Sequence, residues 1–488
     1  MIASSRRGFL SLTGAAALSA ALPLPAFAGD ADWSGDVDVL NDAWSTLHPG
    51  LFRYQTREEL DARLTRLRSQ WATPGTFRER LLALTRVTAA VRCGHTYPSP
   101  YNGGDPIRRL MFPDHSLVPF AFRWLNRRMV VTADQSGAGL FRAGDVVERI
   151  DGRTTESLLL DLIPLARADG SNDAKRISLM EMRGDDRFET FDVHLPLVLP
   201  LNDRAVFGLA DGRRIEAQLL TLAERQAARP AAVEGPEDAN PWTLETGDDG
   251  IARLTMPGWA LYNSRFDWRR WLAGAMDDLT GDGARGLIVD LRGNEGGLDC
   301  GDVILSRLIS RDLELERTQR FVRYRRVPDS LRPYLSTWDQ SFYDWGRQVD
   351  GPDERGFYQR ADRAAEAADL RIAAAGRRFT GKVCVLCDAS NSSATFGFAE
   401  KVRRAGVATL VGQTTGGNLR GINGGAFFFL KLPASGIVVD LPLIASFPST
   451  PQPDAGIEPD VPVPTTAEDI RLGRDPQITA ATRLILGD

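Results

Sequence analysis

Histidine and lysine are scarce in this sequence. Its 488 residues include four histidines, and although lysine and arginine together number 59, lysine occurs only at Lys175, Lys382, Lys401 and Lys431. Few side chains are therefore available to act as a general base near neutral pH. Acidic residues number 64, and the net charge of −5 leaves no basic excess. Nucleic acid is therefore not expected as a partner.

Long hydrophobic runs are also missing beyond the N-terminus. No later segment has the roughly 18 uninterrupted apolar residues of a transmembrane helix, so no membrane span is expected. The first residues carry Arg6 and Arg7, then an apolar, alanine-rich stretch that ends with small residues at Ala26 and Ala28. This pattern predicts a twin-arginine signal peptide over residues 1–28, with a periplasmic or secreted mature protein.

Cysteine is too rare for a disulfide-dense fold. Cys384 and Cys387 form a CxxC pair, but they lie in an apolar strand, where residues three apart point to opposite faces. They are therefore predicted to be buried structural residues. No cluster has metal-ligand spacing, and we expect neither a metal nor another cofactor. A bridge between Cys93 and Cys300 is left open.

Hydrophobic periodicity divides the mature chain into four segments. It predicts a helical domain at 29–112, a β-rich module at 113–200 and an α/β domain at 248–488, and a polar stretch with three prolines predicts a linker at 201–247. The α/β domain alternates strands and helices around a buried parallel sheet, and an Arg- and Asp-rich insertion interrupts it at 313–380. The insertion holds aromatic residues that either cover a cleft or pack into a core: Tyr334, Trp338, Phe342, Tyr343 and Trp345.

Two loops follow predicted buried strands of the α/β domain, where open α/β sheets place their sites. The loop Asp290–Gly297 is rich in glycine, so its amides either bind an anion or oxyanion or only form a tight turn. The loop Asp388–Thr395 leads from a strand into a helix. A serine at this junction is either an exposed nucleophile beside free amides or the N-cap of the helix.

Together the loops resemble the tail-specific, or C-terminal-processing, family of serine peptidases. Leu287–Gly297 resembles the first signature of the family, Lys382–Ala399 the second, Val411–Gly417 the third and Ile457–Asp460 the closing element. The segment Ala138–Asp151 resembles part of the PDZ-like domain that precedes the catalytic domain. The resemblance implies a ClpP/crotonase-like α/β catalytic domain, preceded by a PDZ-like module and a small helical domain.

The same resemblance implies the roles of several site residues. Ser393 takes the position of the nucleophile, and the amides of Gly297 and Ala394 take those of the oxyanion hole. A lysine base follows the third signature in the better-known branch of the family, but here that position is Asn418. Lys431, in an apolar strand, is the reserve.

The sequence instead resembles the histidine-based branch, which includes tricorn and retinoid-binding-protein-like members. His95, in a loop after the N-terminal helices, matches the base of that branch, whereas His48, His115 and His194 are predicted to be structural, the last within a strand. In that branch an acid just before the closing element orients the histidine, and Asp454 is the acid nearest to that position. Asp454 either takes this role or caps a turn.

These residues predict an exported serine peptidase that acts on a peptide or protein substrate. Ser393 would attack the carbonyl and form an acyl-enzyme, while His95 takes and returns the proton. Two alternatives remain, a non-catalytic peptide- or ligand-binding protein on the same fold and an esterase or amidase. The oligomeric state is not predicted.

Overall fold

The computed structural model describes residues 31–229, 239–315, 319–360 and 371–487. The predicted signal peptide, residues 1–28, lies outside these ranges. Among the helices of the described ranges, none is both long enough and apolar enough to cross a bilayer.

The N-terminal helices follow the predicted periodicity. They are α1 (Ser34–Leu47), α2 (Arg57–Trp71), α3 (Phe77–Ala90) and α4 (Asp105–Met111). Helix α2 begins with a capping box, in which the Thr56 side chain accepts from the Glu59 amide and the Glu59 carboxylate accepts from the Thr56 amide. Its buried face repeats at spacings of three and four residues: Leu60, Leu64, Leu67 and Trp71.

The β-rich module is an antiparallel sheet with helices packed on it. Its strands are β1 (Phe120–Leu125), β2 (Arg128–Asp134), β3 (Val146–Ile150), β4 (Arg153–Thr154), β5 (Arg204–Leu209) and β6 (Arg214–Gln218). Their order is β1-β2-β3-β5-β6, with β4 beside β3. Its helices are α5 (Thr155–Leu162), α6 (Asp173–Leu179) and α7 (Thr190–Val198).

The module extends into the segment predicted as a linker, residues 201–247. Strands β5 and β6 lie in that segment and complete the sheet. Ala205, Phe207 and Leu209 of β5 point into its core, and Ala217 of β6 does the same, while the other face of β6 carries polar residues. The polar residues of β6 concealed the alternation. His194 also differs from expectation, because it lies in α7 rather than in a strand, and α7 is buried along most of its length.

The rest of the described chain supplies two further six-stranded sheets and one two-stranded sheet. Its strands are β7 (Thr243–Thr246), β8 (Ile251–Thr255), β9 (Gly286–Asp290), β10 (Leu313–Glu314), β11 (Gln319–Val322), β12 (Leu335–Ser336), β13 (Val349–Asp350), β14 (Tyr358–Arg360), β15 (Arg371–Ile372), β16 (Lys382–Cys387), β17 (Thr409–Gly412), β18 (Asn423–Lys431), β19 (Val438–Phe447) and β20 (Val461–Pro462). Its helices, after α8 (Leu222–Ala227), are α9 (Trp268–Gly281), α10 (Gly301–Leu308), α11 (Ser393–Ala405), α12 (Ala467–Arg471) and α13 (Pro476–Leu486).

The first of these sheets confirms the predicted α/β architecture. Its order is β20-β17-β16-β9-β8-β7, and all neighbours pair in parallel except β7 with β8. Helices α9, α10 and α11 share a core with one face of the sheet, and α13 packs on the other. Strand β9 is therefore buried throughout, which explains its continuous apolar sequence.

The second sheet takes most of its strands from the predicted insertion, residues 313–380. Its order is β12-β18-β19-β11-β14-β13. The sheet shares one hydrophobic core with α1, α2 and α3, so the insertion is an integral layer rather than an appendage. Phe342, Tyr343 and Trp345 are buried in that core, which favours the packing role for these aromatic residues.

All four cysteines are buried and free. Cys93 belongs to the core beneath the N-terminal helices, whereas Cys300 belongs to the core of the parallel sheet, so the bridge left open between them is not formed. Cys384 and Cys387 lie in β16 and face different cores. This placement agrees with the buried structural role predicted for the CxxC pair.

Candidate active site

The predicted nucleophile lies where the central strand β16 turns into α11. Ser393 is the first residue of α11 and has a φ of +51°, in the left-handed region. Ser392 before it is extended and makes no side-chain cap to the helix. The serine therefore sits on a strained strand-to-helix turn, an arrangement that exposes a nucleophilic hydroxyl in α/β hydrolases.

The glycine-rich loop after β9 lies directly against this turn. A Cβ atom at Gly296 would be 3.0 Å from Ser393 Cβ and 2.8 Å from the Ala394 nitrogen. At Gly297, with a φ of +137°, a Cβ would be 2.2 Å from the Trp259 carbonyl oxygen. Only glycine permits both close approaches, so the backbone of this loop faces the serine without an intervening side chain.

Side chains from each loop bind the two loops together. Asn391 donates to the Asn294 carbonyl at 3.0 Å, and Thr395 donates to the same oxygen at 2.9 Å. Within the described residues, neither the Gly297 amide nor the Ala394 amide donates a hydrogen bond. Two unpaired amides beside the serine fit the predicted oxyanion hole.

His95 lies in the turn that follows α3, in a loop held from both sides. The Gly94 amide donates to Asp169 Oδ1 at 2.9 Å, and His48 Nε2 lies 2.8 Å from Thr96 Oγ1. Since the Gly50 amide donates to His48 Nδ1, the neutral His48 ring carries its proton on Nε2 and donates to Thr96. His48 thus has the structural role predicted for it.

The charged residues around His95 have opposite effects on its pKa. Burial lowers the pKa of the imidazole, the Asp169 and Glu295 carboxylates raise it, and Arg167 and Lys175 lower it. Its Nδ1 atom is buried and lacks a hydrogen-bond partner among the described residues. Within the described residues no hydrogen bond joins His95 to Ser393, so its role as base stays a prediction.

The predicted orienting acid, Asp454, has other partners. Its carboxylate accepts from the Ser171 amide at 2.9 Å, the Ser171 hydroxyl at 2.8 Å and Asn418 Nδ2 at 2.7 Å. Burial raises the pKa of Asp454, but these hydrogen bonds outweigh it and lower the pKa. Asn418, in the family's lysine position, also donates to the Asp169 carbonyl. Asp454 therefore supports the loop that carries Asp169, and its role toward His95 stays a prediction.

Sequence reasoning missed three charged residues near His95: Asp169, Lys175 and Glu295. Glu295 lies inside the first signature loop and was available to inspection as its only glutamate. Asp169 and Lys175 belong to the β-rich module, more than 70 residues from His95 in sequence. No local pattern marks them, because only the packing of the module against the loops brings them near the site.

Two of the other lysines have partners elsewhere in the molecule. Lys382 donates to the Leu484 carbonyl, and Lys401 forms an ion pair with Asp302. Lys431, the reserve base, ends β18 with an exposed side chain. No group of three or more histidine, cysteine or acidic side chains in the described ranges is arranged to hold a metal ion.

Comparisons with known proteins agree with this geometry. Residues 250–463 match the model of peptidase family S41, whereas no curated protein matches the chain. A crystal structure of a serine-to-alanine mutant of CPAF is similar with a TM-score of 0.64 and 14% identity, over 94% of this chain and 98% of that chain. Mature CPAF gives a TM-score of 0.60, and its complex with lactacystin 0.59, each at 14% identity over 94% of this chain and 98% or 99% of theirs.

At this identity the CPAF structures establish a shared fold over nearly the whole chain, and the family model covers the two loops and the Ser393 turn. Residues 250–463, a little under half of the chain, match peptidase family S41, and this match indicates a serine-type peptidase domain.

Proposed function

We propose that the protein hydrolyses peptide bonds through an acyl-enzyme on Ser393, with His95 as the general base. The observation that carries this proposal is the left-handed backbone of Ser393 beside the two unpaired amides of Gly297 and Ala394. A tetrahedral oxyanion formed at Ser393 would accept hydrogen bonds from both amides.

His95 supplies the proton route in this mechanism. Its Nδ1 atom is buried near Gly424, so Nε2 is the nitrogen left to take the serine proton. The imidazole then returns that proton to the leaving amine. In the second half of the reaction it takes a proton from water, which attacks the acyl-enzyme and releases the acid and the Ser393 hydroxyl. Burial lowers the pKa of His95, which keeps the ring neutral and ready to accept a proton near neutral pH.

The imidazolium formed in this step needs a nearby negative charge. Asp169 is the acid best placed for this role, because its buried carboxylate holds the Gly94 amide and has the largest favourable electrostatic effect on His95. Asp454 acts only indirectly, through its hydrogen bonds with Asn418 and Ser171. Asp169→Asn should therefore lower kcat more strongly than Asp454→Asn.

Labelling with a fluorophosphonate probe tests the nucleophile and the base together. Wild-type protein should be labelled at Ser393, as located by peptide mass spectrometry, and His95→Ala should slow labelling by about two orders of magnitude or more. His115→Ala is the matched control, since His115 bonds the Leu219 carbonyl in the β-rich module. Labelling that survives His95→Ala unchanged would refute the base assignment.

The same labelled protein separates the two alternatives. A non-catalytic binding protein would not react at Ser393, and an esterase or amidase would turn over small esters but leave peptides intact. Hydrolysis of a mixed peptide library, lost on Ser393→Ala, supports the peptidase. The complex of CPAF with lactacystin suggests that compound as a second probe.

Export is a separate part of the proposal. The Arg6-Arg7 pair and the Ala26–Ala28 site support twin-arginine transport to the periplasm. Changing Arg6→Lys and Arg7→Lys together should retain the full-length protein in the cytoplasm, as measured by cell fractionation and the mass of its N-terminus. Unchanged processing of this variant would contradict the route.

A further inference from the structure

One lysine of the β-rich module reaches both loops of the active site. Lys175 lies in α6, and only 8% of its side chain is exposed. Its Nζ atom lies 2.6 Å from Glu295 Oε1 and 3.1 Å from the Ser390 carbonyl oxygen. The stem packs against the third signature loop, where a Cβ at Gly416 would be 2.9 Å from Lys175 Cδ.

Both contacts of Lys175 Nζ lie within a few residues of the catalytic backbone and side-chain groups. Glu295 directly precedes Gly296, which abuts Ser393, and the Gly297 amide comes next. Ser390 is three residues before the nucleophile. The Glu295 carbonyl also accepts from Ser392 Oγ at 3.2 Å, so its backbone and its side chain both connect the loops. A shift of either loop would separate the amides from the serine.

We infer that Lys175 is a positioning residue, whose ammonium holds the Glu295 carboxylate and the Ser390 carbonyl together and so fixes the oxyanion-hole amides relative to the Ser393 hydroxyl. This inference rests on the proposed function. It gives the β-rich module a part in catalysis, because the enzyme is correctly aligned only when α6 is docked on the loops. Displacements of about 1 Å in such sites can cost about 100-fold in rate.

Lys175 and Glu295 also set the charge around the base. The charged groups that act on His95 are Asp169, Arg167, Glu295 and Lys175. Half of the Glu295 side chain is exposed. Partial burial raises the pKa of Glu295, but Lys175 and then Arg167 outweigh it and lower that pKa to about 2, so the carboxylate is ionised at neutral pH. Removing the ammonium should therefore raise the pKa of His95, and removing the carboxylate should lower it.

The test compares three variants in steady-state peptide hydrolysis over a range of pH. Lys175→Met should lower kcat about 10- to 100-fold with KM within about threefold, because only the transition state uses the oxyanion hole. Its acid limb in kcat/KM should move to higher pH, whereas that of Glu295→Gln should move to lower pH. Lys175→Arg should restore much of kcat, since a guanidinium keeps the charge.

The Arg variant also distinguishes positioning from a lysine base, since arginine is not deprotonated in proteins and could not accept the serine proton. The combined Lys175→Met, Glu295→Gln variant should be no slower than Lys175→Met alone, because both changes break one contact. Lys401→Met is the matched control: it removes another lysine ion pair of 2.6 Å, on the far part of α11, and should keep wild-type kcat.

Two results would overturn the inference. One is a Lys175→Met variant with wild-type kcat and pH profile; the other is a loss that tracks a fall in the melting temperature and is not rescued by Lys175→Arg. Failure of the proposed function looks different, because wild-type protein would then show no labelling dependent on Ser393 and His95.

Discussion

The Arg183 guanidinium of the β-rich module lies 3.0 Å from Asp388 Oδ2, at the end of the central strand β16. The same carboxylate oxygen accepts from the Gly293 amide at 3.1 Å, and Oδ1 accepts from the Ser390 amide at 2.9 Å. Asp388 thus bonds both active-site loops, and Arg183 of the β-rich module balances its negative charge. Burial raises the pKa of Asp388, but Arg183 outweighs it and lowers the pKa, so the pair remains ionised.

Arg183→Met should lower the free energy of unfolding by about 3 kcal/mol or more, because it leaves the Asp388 charge buried and unpaired. Urea denaturation followed by tryptophan fluorescence measures the change. Adding Asp388→Asn should recover part of it. Arg204→Met is the control, since Arg204 forms an exposed pair with Glu216, and it should cost less than about 1 kcal/mol. Equal losses of unfolding free energy in Arg183→Met and Arg204→Met would contradict this account.

Ser393→Gly should be more stable than Ser393→Ala by about 0.5–1 kcal/mol, although both variants are inactive. The reason is the left-handed φ of +51°, which glycine adopts without strain and alanine does not. Thermal or urea unfolding of the two proteins side by side gives the difference. If alanine proved equal or better, the backbone at the nucleophile would not be strained.

Much of the α/β domain could be predicted because its strands and turns have local sequence signals. Buried parallel strands such as β9 are continuous apolar runs, and the turn at Ser393 follows one of them directly. Adjacent glycines at 296 and 297 are typical of a close backbone approach, and the structure shows Ser393 beside Gly296 and Trp259 beside Gly297. These signals lie within a few residues of the features that they predict.

The rest depended on long-range packing. The largely polar sequence of residues 201–247 predicts a linker, yet β5 and β6 lie there and complete a sheet. The predicted insertion forms strands of a sheet that shares its core with the N-terminal helices. Asp169 and Lys175 reach the site only through docking of the module. The acid chosen from sequence, Asp454, lies in the same network but bonds Ser171 and Asn418.

Gly297→Ala should abolish peptide hydrolysis and destabilise the protein, because the new Cβ would fall 2.2 Å from the Trp259 carbonyl oxygen and the φ of +137° disfavours any side chain. Gly397→Ala is the control within α11, where a Cβ meets nothing within 4 Å. There, alanine should stabilise the helix by about 0.5–1 kcal/mol and leave kcat unchanged. Activity retained in Gly297→Ala would argue against this loop as the oxyanion hole.

Asp440 gives the stability a specific pH dependence. It lies buried in β19, where Asn102 Nδ2 donates to its Oδ1 at 2.8 Å. Burial outweighs this and other hydrogen bonds and raises the pKa of Asp440 from 3.8 to about 7. The folded state therefore binds this proton more tightly than the unfolded state does, so the stabilisation is complete below pH 4 and is lost as the pH rises to 7.

Asp440→Asn removes that titration while keeping an oxygen acceptor for Asn102. The stability of the variant relative to wild type should therefore increase with pH between 5 and 7, by at most about 1.4 kcal/mol per pH unit, and level off above 7. Urea unfolding at four or five pH values measures the trend, with Asp329→Asn at an exposed position as the control. A constant difference across this range would show that Asp440 does not change protonation on folding, and a decreasing one would mean that its carboxylate is stabilised in the folded protein as an anion.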